Sequence, residues 1–312
     1  MEKRTLGKSG FEVPPLALGG NVFGWTIDQA TSFGILDAYT DAGFSLIDTA
    51  DVYSNWKSGN KGGESETIIG NWMKQRGNRH KVVIATKVGH EFSPEKKGLK
   101  KEYVLQAVEV SLRRLQTDYI DLYQSHKDDP ETSVEEPLEA YDILMKQGKV
   151  RAIGASNFSA ERLTEALKSS EKNGLPRYQT LQPLYNLYDR TDFESSLLAV
   201  CREKQLGVIP YFSLAAGFLT GKYRSEADLA ISARGNRVKR YLDDRGFRLL
   251  KVLDQIAAET KSTPGKVAIA WLLTRPTITA PIASATNLAQ LQDLVEATRL
   301  KLSADALARL DV

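Results

Sequence analysis

Three consecutive segments decide the fold: Val82-Val-Ile-Ala-Thr-Lys-Val88, Val104-Leu-Gln-Ala-Val-Glu-Val-Ser-Leu-Arg-Arg-Leu115 and Ile120-Asp-Leu-Tyr-Gln-Ser-His126. The outer two are short and apolar enough to be strands buried on both faces. In the middle one, Val104, Leu105, Val108, Leu112 and Leu115 recur at spacings of three and four, the stripe of an amphipathic helix. A strand, a helix and a second strand in that order form a right-handed crossover, which makes the two strands parallel.

The alternation continues in both directions. Further apolar runs at 16–20, 45–50, 150–156, 180–186, 207–212 and 278–284 bring the candidate strands to eight. Asp28 reads as the N-cap of a helix that turns Phe33, Leu36 and Tyr39 inward and stops at Gly43. Ser133 followed by Glu136 reads as a capping box, with Gly148 ending that helix. Eight such units favour a closed (β/α)8 TIM barrel over an open sheet, and residues 1–312 read as a single barrel domain. Residues 3–14, with Gly7 and Gly10, read as an N-terminal hairpin closing one end. Residues 213–245 read as a long loop after strand 7, lying over the opposite mouth and followed by helices at 246–260 and 264–274.

Composition narrows the class. With 42% hydrophobic and 26% charged residues, the chain is neither disordered nor collagen-like. A net charge of +3 is far from that of a dedicated nucleic-acid binder. The single cysteine, Cys201, excludes an intramolecular disulfide and fits a reducing compartment. No apolar stretch reaches the ~18 to 20 residues a bilayer requires. Met1-Glu-Lys-Arg-Thr-Leu-Gly7 turns polar at once and has no secretory core. The expectation is a cytoplasmic protein with neither membrane nor nucleic acid as partner.

A barrel places its active site at the C-terminal ends of its strands. Asp48 and Tyr53 follow the second strand, Lys87 ends the third and His126 the fourth, so all four fall at one mouth. Singly, each has an ordinary reading: a capping Asp, a snorkelling Lys, a hydrogen-bonded His, a packed Tyr. Together they suit proton delivery to a carbonyl oxygen. A phenol with a reference pKa near ~10 is a poor acid at neutral pH, and an adjacent ammonium such as Lys87 is expected to lower it. Asp48 would offset the cost of burying Lys87, and His126 would orient the oxygen and stabilise its developing charge. None of the four serves as a nucleophile in this scheme, so the electron pair must come from outside, and a nicotinamide hydride is the natural source.

Six motifs carry a resemblance that spans nearly the whole chain. They are Asp48-Thr-Ala-Asp-Val-Tyr53, Ile84-Ala-Thr-Lys87, Ile120-Asp-Leu-Tyr-Gln-Ser-His126, Gly148-Lys-Val-Arg-Ala-Ile-Gly-Ala-Ser-Asn157, Gln182-Pro-Leu-Tyr-Asn186 and the stretch from Tyr211-Phe-Ser-Leu214 to Gly221-Lys-Tyr223. In this order they resemble the aldo-keto reductase family, in particular the bacterial branch related to potassium-channel β-subunits. The resemblance implies NADP as cofactor, with NAD as the alternative, and a small carbonyl or alcohol substrate. It makes Tyr53 the general acid, tuned by Lys87 and Asp48, with His126 orienting the carbonyl. It implies that Ser156, Asn157 and Gln182 hold the nicotinamide carboxamide and that Tyr211 stacks on the ring. The backbone of Phe212, Ser213, Leu214, Gly217 and Leu219 would line the pyrophosphate, and Lys222 and Arg234 would hold phosphate. Thr286, Gln290 and Asp293 would close over the adenosine, with Gly20, Asn21, Val22 and Ser284 also on the cofactor. Apart from the resemblance, Trp25 and Trp56 follow the first two strands and read either as walls of an apolar substrate pocket or as core packing.

The sequence departs from the family in three places, one of them Leu294, which stands where an Asn is common after the acidic residue. Gly20-Asn21-Val22 stands where Trp, Met or Thr usually follows the glycine. Residues 283–293 contain no Arg or Lys for a 2′-phosphate, which leaves that charge to Lys222 and Arg234. Other signals fail. Gly217 to Lys222 is one residue short of a P-loop and is followed by Tyr223, and no Gly-x-Gly-x-x-Gly occurs. His80, His90 and His126 lack metal-ligand spacing. The basic runs 96–101 and 234–240 read as solvated faces or cofactor contacts. Two rival functions remain: a nucleotide-bound regulatory module with slow turnover, like the channel-associated relatives, and a Schiff-base lyase using Lys87 as nucleophile.

Overall fold

In the computed structural model, which describes residues 2–93 and 97–311, the chain begins with a short antiparallel pair, β1 (Arg4–Thr5) and β2 (Glu12–Val13). Met1, Lys96 and Val312, which fall within stretches read above, lie outside the described residues. Eight parallel strands follow: β3 (Ala17–Gly19), β4 (Leu46–Asp48), β5 (Val83–Val88), β6 (Ile120–Ser125), β7 (Val150–Ser156), β8 (Thr180–Gln182), β9 (Gly207–Val208) and β10 (Ile282–Ala283). They pair in the order β10-β3-β4-β5-β6-β7-β8-β9. Isolated backbone bonds close the ring. Val208 N–H donates to the Thr277 carbonyl at 3.0 Å, Thr279 N–H to Val208 at 2.8 Å and Ile282 N–H to Pro210 at 2.9 Å. This is the (β/α)8 barrel expected from the sequence.

Helices α1 (Gln29–Asp41), α2 (Glu64–Arg76), α3 (Lys101–Leu115), α4 (Glu135–Lys146), α5 (Ala160–Asn173) and α6 (Leu198–Lys204) each follow one barrel strand, beginning with β3. After β9 come the one-turn α7 (Gly235–Val238), then α8 (Asp244–Glu259) and α9 (Pro264–Thr274). After β10 come α10 (Leu288–Ala297) and α11 (Ala304–Leu310). Asp28 caps α1 as expected, accepting from Thr31 N–H at 2.8 Å. The capping box read at Ser133 and Glu136 does not form. The N-cap of α4 is Val134, and Glu136 instead accepts from the Lys101 N–H at the start of α3, at 3.2 Å.

The barrel interior is layered. Ala17, Leu46, Ala85, Leu122 and Ala152 belong to one buried apolar cluster with Leu6 and Val13 of the hairpin segment. That segment closes the N-terminal end of the barrel tightly: Gly7 has φ +60°, and a Cβ there would stand 2.0 Å from the Gln179 carbonyl oxygen. Because side chains alternate along a strand, the next inward position lies two residues on. Those positions are Gly19, Asp48, Lys87, Gln124 and Gly154. The layer above the apolar plug is therefore polar, with two glycines making room. A Cβ on Gly154 would meet Thr180 Oγ1 at 2.1 Å and Gln124 Cγ at 3.1 Å. Residues 213–245 cover this polar mouth, as expected, but as short helical turns, among them Ala215–Thr220 and Glu226–Ile231.

Candidate active site

Asp48 and Lys87 arrive on neighbouring strands, and register sets their approach: Asp48 lies opposite Ala85, so Lys87 is one inward step further along β5. The Lys87 ammonium is fully buried and uses its three donors on Asp48 Oδ2 at 2.7 Å, the Thr49 carbonyl at 2.8 Å and Tyr53 Oη at 2.9 Å. Gln182 Nε2 donates to the other Asp48 oxygen at 2.8 Å. Gln124, which lies opposite Lys87 on β6, reaches the same oxygen at 3.4 Å.

Tyr53 lies in the turns after β4, which are braced on several sides. Arg114 donates to the Asp51 carbonyl at 3.2 Å, Ser54 Oγ to the Phe23 carbonyl at 2.8 Å, and Gly63 N–H to Tyr53's own carbonyl at 3.2 Å. Its ring meets Trp56 at 5.9 Å and His126 at 6.0 Å, both edge-on.

Burial governs the electrostatics. It raises the Tyr53 phenol above its ordinary value, and the opposing pull of Lys87 does not reverse this. The expected lowering by Lys87 is therefore present but outweighed, and the phenol stays protonated at neutral pH. Burial also opposes the charge on Lys87, but the fields and hydrogen bonds of Asp48 and Tyr53 prevail, so the ammonium is held more firmly than a free one. His126 is pushed well below its ordinary range by burial, then by Lys87 and His90, so its imidazole is neutral. Its Nδ1 is buried without a hydrogen-bond partner among the described residues.

From this floor a cavity of about 1160 Å³ extends along the mouth. Ser156, Asn157 and Tyr211 form a chain on its wall: Tyr211 Oη donates to Asn157 Oδ1 at 2.8 Å, and Asn157 Nδ2 to Ser156 Oγ at 3.0 Å. Phe212, Ser213, Leu214 and Gly217 follow, with positive φ at Phe212, Ala215, Ala216 and Gly217 bending the backbone around the cavity. Asn21 joins two loops by accepting from Ser284 Oγ at 2.7 Å and Arg234 Nη2 at 3.2 Å. Burial, and then the charge of Arg237, lower Arg234 to about 10, so it remains a cation. Lys222, Thr286, Gln290 and Asp293 line the far part, and Trp25 and Trp56 meet edge-on at 5.5 Å near Tyr53. Gly20, Val22 and Leu219 lie behind the wall, where Val22 and Leu219 belong to the core.

A family model described as Aldo/keto reductase family matches residues 15–312. The chain belongs to the aldo/keto reductase family. It is 36% identical to an uncharacterized oxidoreductase, YrpG, of Bacillus subtilis, over 100% of this chain and 95% of the relative. The aldo-keto reductase YhdN of the same organism is 33% identical over 98% and 91% of the two chains. A probable voltage-gated potassium channel subunit beta of Arabidopsis thaliana is 32% identical over 95% and 91%. The protein is thus an oxidoreductase of a family that generally uses NAD(P)H. Among the described residues, no helix is long and apolar enough to cross a membrane.

Several lining residues of this aldo/keto reductase were not singled out from the sequence. Lys266, on α9, enters the far wall beside Gln290 and pairs with Asp293 at 2.9 Å and Glu296 at 2.6 Å. Arg237, Lys127 and His90 stand near Trp25 and Trp56 or His126. Gln124 was legible in principle, since it continues the inward alternation of β6.

The buried pair sets a stability test. Lys87→Met strands the Asp48 carboxylate inside the barrel and should lower the unfolding free energy by roughly 3 to 5 kcal/mol in urea denaturation. Arg224→Met, which breaks an exposed pair with Asp254, should cost less than ~1 kcal/mol. Equal small losses would mean that the Lys87–Asp48 contact contributes no more than a surface ion pair.

Proposed function

We propose that the protein is an NAD(P)H-dependent carbonyl reductase that interconverts aldehydes or ketones and alcohols, with Tyr53 as general acid and base. One observation carries the reading: Tyr53 Oη accepts a hydrogen bond from Lys87 Nζ at 2.9 Å. With its oxygen already accepting from an ammonium, the hydroxyl keeps its own proton available for a group in the cavity. A substrate carbonyl oxygen beside Tyr53 takes that proton as negative charge develops on it. Asp48 holds the Lys87 ammonium in place, and the ammonium then stabilises the phenolate left behind. The neutral His126 imidazole orients the same oxygen. In the reverse direction the phenolate accepts the alcohol proton at the same atom.

The wall suits a nicotinamide dinucleotide. Its volume of about 1160 Å³ exceeds the ~300 to 1,000 Å³ of a typical small-molecule pocket, leaving room for cofactor and substrate together. Ser156, Asn157 and Gln182 would hold the carboxamide, Tyr211 the ring, Phe212–Gly217 with Lys222 the pyrophosphate, and Thr286, Gln290 and Asp293 the adenosine. When bound, the nicotinamide supplies or accepts the hydride.

NADP(H) is the preferred form in this reading. Arg234 has no carboxylate partner among the described residues and is tied through Asn21 to Ser284, two positions before Thr286. A half-buried cation without a counter-ion is matched by an additional phosphate.

The lyase alternative is disfavoured. Lys87 is fully buried, and its protons are engaged by three acceptors, whereas a Schiff base needs a neutral and accessible amine. The slow-turnover module has the channel-subunit relative in its favour, and a turnover assay separates it from an enzyme.

Tyr53→Phe should retain fold and cofactor binding but lose about 10² to 10⁴-fold in turnover of a ketone. Retention of more than about a tenth of parental turnover, with chemistry limiting, would remove Tyr53 from the role. Arg234→Ala should weaken NADPH binding by about 10 to 100-fold and NADH binding much less, as read by fluorescence-quenching titration. Equal losses for the two cofactors would show that Arg234 does not read the 2′-phosphate.

A further inference from the structure

The substrate side of the cavity has a charge that the reduction of a plain carbonyl does not need. The carboxylates lining the cavity are Asp48 and Asp293, and both are neutralised within the chain, by Lys87 at 2.7 Å and Lys266 at 2.9 Å. Arg237, on α7, is exposed at the mouth. Among the described residues its guanidinium has no hydrogen bond and no ion pair. It neighbours the rings of Trp25 at 5.9 Å, Trp56 at 5.8 Å and Phe212 at 6.0 Å, and it shares the Trp25 ring with a like charge, Arg234, at 5.7 Å. These distances lie at the outer limit of ~6 Å for a cation held over a ring, so the contacts steer the guanidinium without saturating it. A planar fork facing aromatic walls keeps its in-plane N–H groups free for a bidentate carboxylate.

Trp56 relates this cation to the reacting group. Its indole lies 5.9 Å from the Tyr53 ring and 5.8 Å from the Arg237 guanidinium, so one apolar ring neighbours both the phenol and the cation. Lys127, likewise without a partner in the described chain, adds a second positive charge to the same mouth.

We propose that the substrate is an anionic carbonyl compound: an aldehyde or ketone joined through a flat, apolar spacer to a carboxylate that Arg237 binds. The carbonyl meets Tyr53, the spacer lies against Trp56, and Arg237 holds the far end. The proposal rests on the carbonyl-reductase reading and specifies its substrate class.

The test compares 4-formylbenzoate with its uncharged analogues, methyl 4-formylbenzoate and 4-formylbenzamide, as substrates of the full-length protein at saturating NADPH, repeated with NADH. The acid should exceed both analogues in kcat/KM by roughly tenfold, mainly through KM, the low end for a charge-assisted contact at an exposed site. Arg237→Met should lower the acid-to-ester ratio by about the same factor, and Arg237→Lys should retain part of it. Raising salt from about 0.05 to about 0.5 M should erode the ratio, since an exposed charge is screened. A parent protein indifferent to the carboxylate, or an Arg237→Met variant that loses equally on acid and ester, overturns the anionic-substrate proposal while leaving carbonyl reduction intact. Absence of turnover on all three aldehydes with both cofactors overturns the reductase reading itself.

Discussion

A buried ammonium constrains the whole mouth of this barrel. Removing a lysine from water costs several kcal/mol unless its charge and each of its protons are matched. Lys87 meets that demand with one carboxylate, one backbone carbonyl and one phenol. Each partner is then fixed in turn. Asp48 has its remaining oxygen held by Gln182 and Gln124, and Tyr53 is held by a braced turn. The arrangement needed to bury the charge also presents a protonated phenol to the cavity. Stability and chemistry therefore share the same few contacts.

The barrel makes the arrangement possible through period and register. The apolar layer of Leu46, Ala85 and Leu122 excludes water beneath the site, and one step further along the same strands stand Asp48, Lys87 and Gln124. Glycines at 19 and 154 keep that layer open enough for long polar side chains. The cavity above it is walled by loops from most of the strands: Asp48, Lys87 and Gln124 stand on the sheet, whereas Tyr53 and His126 stand in the segments that follow β4 and β6.

Much of this was legible in the sequence because the signals are local. Apolar runs separated by helical stripes gave the eight strands, and the strand-end positions gave Asp48, Tyr53, Lys87 and His126. The ladders are shorter than the runs implied, for a simple reason: Pro183, Pro210 and Pro281 lie inside the runs 180–186, 207–212 and 278–284 and cannot donate to a ladder. The capping box failed because Glu136 found a partner on another helix, which no local pattern reveals. The net direction of the Tyr53 shift depends on burial, a property of the assembled barrel. Lys266 was missed because α9 brings it to the mouth from far along the chain with no motif to mark it, whereas Arg237 was covered only by the general reading of the basic run 234–240.

The most direct test of the account is the ionisation state of Tyr53, read from the ring-carbon NMR resonance of labelled tyrosine, assigned with Tyr53→Phe. Burial and a proton retained for donation require the neutral phenol at every pH up to about 10, the ordinary phenol value. A Tyr53 resonance already at the phenolate position near neutral pH would contradict the account, because the group would then have no proton to give.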